Sequence, residues 1–597
     1  MDFYGFYMGE EFDAWNYLGA HIISQGAVFR TFAPNAARIS LIGDFNNWQE
    51  TPMSKTYDGN FWEISVPEAK EGMRYKYRIY HQNGHFLDHC DPYGFSSELR
   101  PHNASVICRL DKHTFQDQQW MTHRQTGFDK PINIYELHVG SWKKKGDGPE
   151  DWYTYDELAD LLIPWLKENG YNYVELMPLS EHPSDESWGY QNTGFFAPTS
   201  RYGTPDQLQA FVDSCHKHQI GVILDFVPVH FAVDDYALWN YDGTSLYEYP
   251  HQDVGRSEWG SCNFMHSRGE VRSFLQSSAC YWLTNYHFDG LRMDAVRNLI
   301  YWQGQPERGE NHPSLQFLKN MNLGLKKRFP KVMLIAEDST SYPGITKPVS
   351  EGGLGFDYKW DLGWMHDTLC YFQTNPNLRP EHFYDLTFSM DYFYNERYIL
   401  PLSHDEVVHG KATILQKMYG DYEGKFPQGR AFYLYMAGHP GKKLNFMGNE
   451  LGQLREWDEK REQDWCLLKY PNHDGFLHFI RDLNTLYLTA PALSQEDYSS
   501  YGFQWRKSQK DGTCFYAFER RCSRQRILFL FNFSDQPFET ADMDIPDSNK
   551  GLTPLLNTDW QEYGGTTKKS KAKHRPKKNG YSFQMAPFSG QCYQINL

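Results

Sequence analysis

The 597-residue chain is poor in several features that would assign it to a class at once. It has no run of about 18 mainly apolar residues, so no membrane-spanning helix is expected. Its first residues, MDFYGFYMGEEFDAW, carry neither a basic start nor an apolar core, and no secretory signal is read there. Its ten cysteines form no CxxC pair and no finger-like spacing with histidine, which speaks against a structural zinc site. Unpaired thiols in that number suit a reducing cytoplasm. Positive charge is short as well: 59 Lys and Arg face 75 Asp and Glu, a net charge of −16. Such a chain repels phosphate backbones and anionic headgroups, so neither nucleic acid nor membrane is an expected partner. No GxGxxG follows a first strand and no repeat of about 20–50 residues recurs. One segment goes against the charge pattern. Residues 568–578 hold seven Lys or Arg and no acid, which makes them either a solvated loop tip or a docking patch for an anionic partner.

What is abundant is aromatic. Phe, Tyr and Trp make up 17% of the chain, far from the composition of a disordered protein. Length alone suggests about three to five domains. Residues 1–112 consist of short alternating runs such as AVFRTFAP, FWEISVP and MRYKYRIY, separated by Asn-Asn and Asn-Gly turns, the pattern of an immunoglobulin-like β-sandwich. Residues 113–131 are polar and read as a linker. From 132 to 490 β-rich runs alternate with helical stretches. The strand candidates are INIYELHVG, NYVELMPLS, GVILDFVPVHF, GLRMDAV, VMLIAEDS, GFDYKWDL, YILPLSHDE and KKLNFMGNE. Eight strands with intervening helices predict an α/β fold, a (β/α)8 TIM barrel with inserted loops. Residues 491–597 return to strands (TCFYAFERR, RILFLFNF, PFETADMDI, GYSFQMAP, QCYQINL) and predict a second, C-terminal β-sandwich.

In such a barrel the working side chains stand at the C-terminal ends of strands. There strand three offers Asp225 and then His230, strand four Arg292 and Asp294, strand five Glu337, and strand seven His404 and Asp405. Taken singly, each acid is as well explained as a salt-bridged rim residue and each histidine as a satisfied core residue. Together they form acids on one rim, where apolar residues would cost less. Glycosidic bond chemistry by retention needs two carboxyl groups about 5 Å apart, and adjacent strands lie about 4.8 Å apart. Asp294 and Glu337 end neighbouring strands. Arg292 is placed to keep Asp294 ionised, while burial and nearby negative charge are expected to favour the protonated form of Glu337. A metal set of Asp225, His230 and Asp294 is the weaker alternative, because no HxH or HExxH spacing appears.

These blocks carry a resemblance. DFVPVH (225–230), GLRMDAV (290–296), AEDS (336–339) and LSHDEVVHGK (402–411) are similar to the conserved blocks of the α-amylase superfamily of glycoside hydrolases. ELHVGSW (136–142), WGYQ (188–191) with APTSRYG (197–203), HPGKK (439–443) and FMGNE (446–450) resemble, within it, the bacterial 1,4-α-glucan (glycogen) branching enzymes. FAPN (32–35) and GDFNNW (43–48) look like that family's N-terminal carbohydrate-binding sandwich. The resemblance implies Asp294 as nucleophile, Glu337 as acid/base and Asp405 as the third acid, which binds and distorts the sugar. It implies Tyr190, Asp225, His230, Arg292 and His404 as substrate-binding or orienting residues. It also implies an α-glucan (glycogen, amylose) as partner and no cofactor; a monomer or weak homo-oligomer is expected. The chain departs from the family at Asp338, more often Glu, at Phe195-Phe196, often tyrosines, and over residues 301–312. The rival readings are a hydrolase of the same superfamily and a non-catalytic glycogen-binding protein.

Overall fold

The computed structural model describes residues 1–124, 127–507, 512–540, 543–576 and 580–596. Parts of the expected linker (125–126), of the PFETADMDI strand (541–542), of the basic run (577–578) and the final Leu597 lie outside the described residues. Eight strands close into a barrel in sequence order. They are β1 (Asn133–Leu137), β2 (Tyr173–Leu176), β3 (Gly221–Phe226), β4 (Gly290–Met293), β5 (Met333–Ala336), β6 (Tyr358–Trp360), β7 (Tyr398–Leu402) and β8 (Lys442–Phe446). Every residue of all eight is buried, as in strands covered on both faces, and most are rich in apolar residues, whereas β8 also buries Lys442, Lys443 and Asn445. Each of the eight falls within its sequence-predicted run. The expected helices form too, at Tyr155–Glu168, Pro205–Lys217 and His312–Arg328. No helix among the described residues is long and apolar enough to cross a membrane.

The chain divides into two compact units. The first comprises Met1–Arg124, His138–Leu162 and Glu175–Asp357. Its N-terminal part holds a four-stranded antiparallel sheet built on Ala27–Phe32 and Phe61–Val66, and a second sheet built on Arg38–Gly43 and Arg74–Tyr80. Tyr75, Tyr77 and Ile79 are buried and alternate with partly exposed residues, the half-covered strand that the sequence pattern announces. These sheets are packed on the barrel-side elements of the same unit. Tyr93 stacks on Phe196 with ring centroids 4.7 Å apart, and His89 Nδ1 lies 2.8 Å from the Ala237 carbonyl. The short helix Phe3–Met8 lies so close to the helix Gly269–Asn285 that a Cβ on Gly269 would sit 1.7 Å from the Tyr7 carbonyl oxygen.

The segment expected as a polar linker is not a free tether. It forms a helix, Gln118–His123, and its flanks are buried. Asp117 accepts from His216 (2.8 Å) and His287 (2.9 Å), while Trp120 Nε1 and Arg124 donate to Asp289 at 2.9 and 3.0 Å. Polar composition here combines a buried ion network at Asp117 and Arg124 with exposed residues around it.

The second unit comprises Gln125–Leu137, Ile163–Val174 and Tyr358–Leu597. Its C-terminal part is a five-stranded antiparallel sheet, with Phe515–Arg521 and Arg526–Asn532 at its centre, and a two-stranded ribbon of Phe538–Glu539 and Gln584–Met585. One face of the sheet buries Phe515, Leu528, Leu530, Phe583 and Tyr593 in a common core. The other sets Phe518 and Phe531 against Tyr435 of the helix Tyr422–Gly438.

Candidate active site

Parallel pairing places Asp225 opposite Arg292 and Met293 opposite Ala336. Chain continuation past β4 and β5 therefore delivers Asp294 and Glu337 to adjacent positions. The backbone ties the two turns together: Glu337 N–H donates to the Met293 carbonyl (3.0 Å) and Val296 N–H to the Glu337 carbonyl (2.9 Å). Between them Ala295 adopts a left-handed φ of +47°, rare for a residue with a side chain. That turn aims its N–H at Glu337 Oε2, 2.7 Å away. Backbone strain is thus spent on orienting one carboxyl group.

Arg292 organises the acids. Its side chain is 1% exposed, and Nη1 lies 2.7 and 2.8 Å from the two oxygens of Asp225 and 2.9 Å from Asp294 Oδ1. Nη2 stands 3.9 Å from Glu337 Oε2. Burial alone would lower its pKa, but the surrounding Asp225, Tyr190, Asp294 and Glu337 raise it well above the ordinary arginine value, so it stays cationic. Tyr190 donates its hydroxyl to Asp225 Oδ2 at 2.5 Å. One guanidinium thus joins Asp225 to Asp294. Asp294 and Glu337 keep 15% and 20% of their side-chain surface accessible.

His230 is placed differently from the sequence expectation. It does not continue β3; it begins a separate two-residue strand, His230–Phe231, paired with Cys262–Asn263. The reason is the Val227–Val229 stretch, whose Pro228 cannot extend a parallel ladder. The His230 ring lies 5.1 Å from Trp259, an exposed aromatic the sequence reading did not single out. Its Nδ1 is buried with no hydrogen-bond partner among the described residues. Burial lowers its pKa to about 4, which keeps the ring neutral and able to bind a hydroxyl.

In the second unit β7 ends in Ser403, His404 and Asp405. His404 is buried, while the Asp405 side chain is 59% exposed. His404 Nδ1 donates to Glu136 Oε1 at 2.5 Å, and its Nε2 stands 3.5 Å from Asp405 Oδ1. Glu136 also accepts from the His404 backbone N–H (3.2 Å) and the Ser403 hydroxyl (3.0 Å). It is therefore the orienting residue of this strand end, and sequence reasoning missed that role. The available signal was a glutamate one residue before the end of a fully buried first strand.

A closed parallel barrel with paired acids at the ends of its fourth and fifth strands defines a protein of the α-amylase kind. Residues 17–94 match carbohydrate-binding module 48 (isoamylase N-terminal domain), 160–253 the alpha amylase catalytic domain, and 505–596 the alpha amylase C-terminal all-beta domain. The chain is similar over nearly its whole length to proteins described as 1,4-alpha-glucan branching enzyme GlgB. That of Fusobacterium nucleatum is 42% identical over 590 residues, covering 98% of this chain and 96% of that protein. That of Bacillus subtilis is 42% identical over 576 residues, covering 95% and 91%. The chain belongs to the 1,4-alpha-glucan branching enzyme family. Solved structures of lower identity share the fold. A putative alpha amylase from Salmonella typhimurium has a TM-score of 0.73 at 17% identity, covering 97% of this chain and 100% of that one. A pullulanase from Bacillus acidopullulyticus has 0.74 at 17% identity, covering 97% and 75%.

Proposed function

We propose that this chain cleaves an internal α-1,4 bond of a glucan by retaining double displacement and transfers the freed chain to a glucan 6-hydroxyl, forming α-1,6 branches in glycogen. Asp294 attacks the anomeric carbon while Glu337 gives its proton to the leaving oxygen. A covalent glucan-enzyme results. Glu337 then takes the proton of the incoming 6-hydroxyl as that oxygen displaces Asp294, and two inversions retain the α configuration. Asp405 and His404 grip the hydroxyls of the reacting glucose, Tyr190 stacks on it, and neutral His230 binds a further hydroxyl. Asp225 and Arg292 orient the acids.

The observation that carries this reading is the single guanidinium that spans Asp294 and Glu337. A cation 2.9 Å from Asp294 favours its ionised, nucleophilic form. The Ala295 N–H holds Glu337 Oε2 and so fixes the direction of that carboxyl group. No cofactor enters this chemistry. The division into 1–112, 113–131 (docked rather than a free linker), 132–490 and 491–597, a monomeric or weakly oligomeric state and a cytoplasmic setting belong to the same proposal. All ten cysteines are free thiols, which supports the last point.

Incubation with amylose tests it. Branching lowers iodine colour with few new reducing ends, and isoamylase then releases short chains. A rise of reducing ends in step with the colour loss would assign a hydrolase. Asp294→Asn is expected to lower kcat by about 10⁴-fold or more, and unchanged colour loss in that variant would leave a binding protein.

A further inference from the structure

The loop that follows the third acid is held in a way the proposed chemistry does not use. His409, Gly410 and Ala412 all have left-handed φ values, +58°, +79° and +66°. His409 and Ala412 carry side chains, so the conformation is strained and persists only if its surroundings impose it. Two clamps do so. Glu456 accepts from the Gly410 N–H at 3.0 Å through one carboxylate oxygen and from the Ala412 N–H at 2.7 Å through the other. From the other end Lys417 Nζ donates to the carbonyls of Glu406 and of Ala412, the latter at 2.8 Å. The Glu456 segment is itself anchored: Trp457 N–H donates to the Val407 carbonyl (3.0 Å), and its ring packs 5.1 Å from Phe446 at the end of β8.

At His409 and Gly410 this strain gains no core packing, because residues 409–411 are exposed; Ala412 is half-buried. What the clamps preserve is an outward surface beginning at Asp405 and bearing the polar groups of His409 and Lys411. A transferase requires such a surface. Its acceptor sugar must outcompete water, and it does so only when held in a reactive orientation.

We propose that Glu456 is a positioning residue that fixes the 409–412 loop beside Asp405, and that this fixed loop selects a glucan hydroxyl over water as the acceptor. The inference rests on the branching reading above. The two are separable, because wild-type chain that makes no branches defeats that reading before any variant is compared.

The experiment measures branch points and new reducing ends on amylose for wild type, Glu456→Ala, Glu456→Gln and Lys417→Met, with thermal melts to establish folding. Loss of two hydrogen bonds to a charged group, one exposed and one part-buried and so discounted for solvent screening, corresponds to about a tenfold effect. In Glu456→Ala the ratio of branches to reducing ends is expected to fall about tenfold and the KM for acceptor chains to rise, while total bond cleavage is kept. Glu456→Gln retains an acceptor oxygen for one N–H and should recover much of the ratio; it also answers the question if the alanine variant does not fold. Lys417→Met should shift the ratio in the same direction. An unchanged ratio in folded variants, or branches and reducing ends falling in parallel, overturns the proposal.

Discussion

At the scale of single residues, the site depends on charges that are held by other charges. Arg292 is surrounded by acids, and His404 is pinned by a buried glutamate. Glu136 gives the sharper test, since it stands one contact away from residues proposed to bind substrate. A carboxylate only accepts, so His404 Nδ1 must carry the proton and Nε2 is left to face Asp405. In Glu136→Gln the charge-assisted bond becomes a neutral one that also tolerates a flipped ring. A loss of about 1.5–3 kcal/mol is expected, which is tenfold to about a hundredfold in kcat/KM. Initial branching rates on amylose, taken beside an unaltered melting curve, check this. A folded variant at wild-type rate would remove Glu136 from the site.

At the scale of elements, the segment docked through Asp117, Trp120 and Arg124 meets a single histidine. Burial alone would lower the His216 pKa, but Asp289 and Asp117 raise it to about 9. The unfolded value is about 6.5, so the folded state holds this proton more tightly. The stabilisation is complete below about pH 6.5 and disappears as pH rises through about 9, where both states become neutral. His216→Gln should therefore cost about 3 kcal/mol at pH 6 and much less at pH 10. Denaturant unfolding at the two pH values measures the difference. An equal gap at both would show that the imidazolium charge is not what holds the segment down.

At the scale of the whole molecule, the N-terminal sheets are part of the catalytic scaffold rather than an appended module. Thr31 and Tyr241 share a hydrogen bond of 2.7 Å, Ser273 donates to the Phe6 carbonyl at 2.9 Å, and Phe95 stacks 5.6 Å from Tyr281. Removing residues 1–112 would uncover the aromatic surface around Phe196, Phe274 and Tyr281. A chain beginning at residue 113 is expected to be insoluble or to melt several degrees lower, each kcal/mol lost lowering Tm by about 1 °C in a chain this long. Thermal melts and soluble yield decide it. A truncated chain that melts with the full one would restore the picture of independent modules.

Much of this was legible in the chain itself. Most of the barrel strands are rich in buried apolar residues and so stand out by composition, β8 with Lys442, Lys443 and Asn445 being the exception, and the polar residues near strand ends point to Asp225, Arg292, Asp294, Glu337, His404 and Asp405 without any coordinates. These are local properties, decided within a few residues. Contacts between distant segments were not legible in the same way. The Glu136–His404 bond joins residues 268 positions apart. The burial of Asp117 and Arg124, the separate ribbon of His230 and the clamp of Glu456 on Gly410 and Ala412 likewise depend on which backbone lies beside which. Hydrophobic burial selects the elements from their own residues, whereas hydrogen bonds and ion pairs are decided by register and approach, and those exist only once the chain has closed on itself.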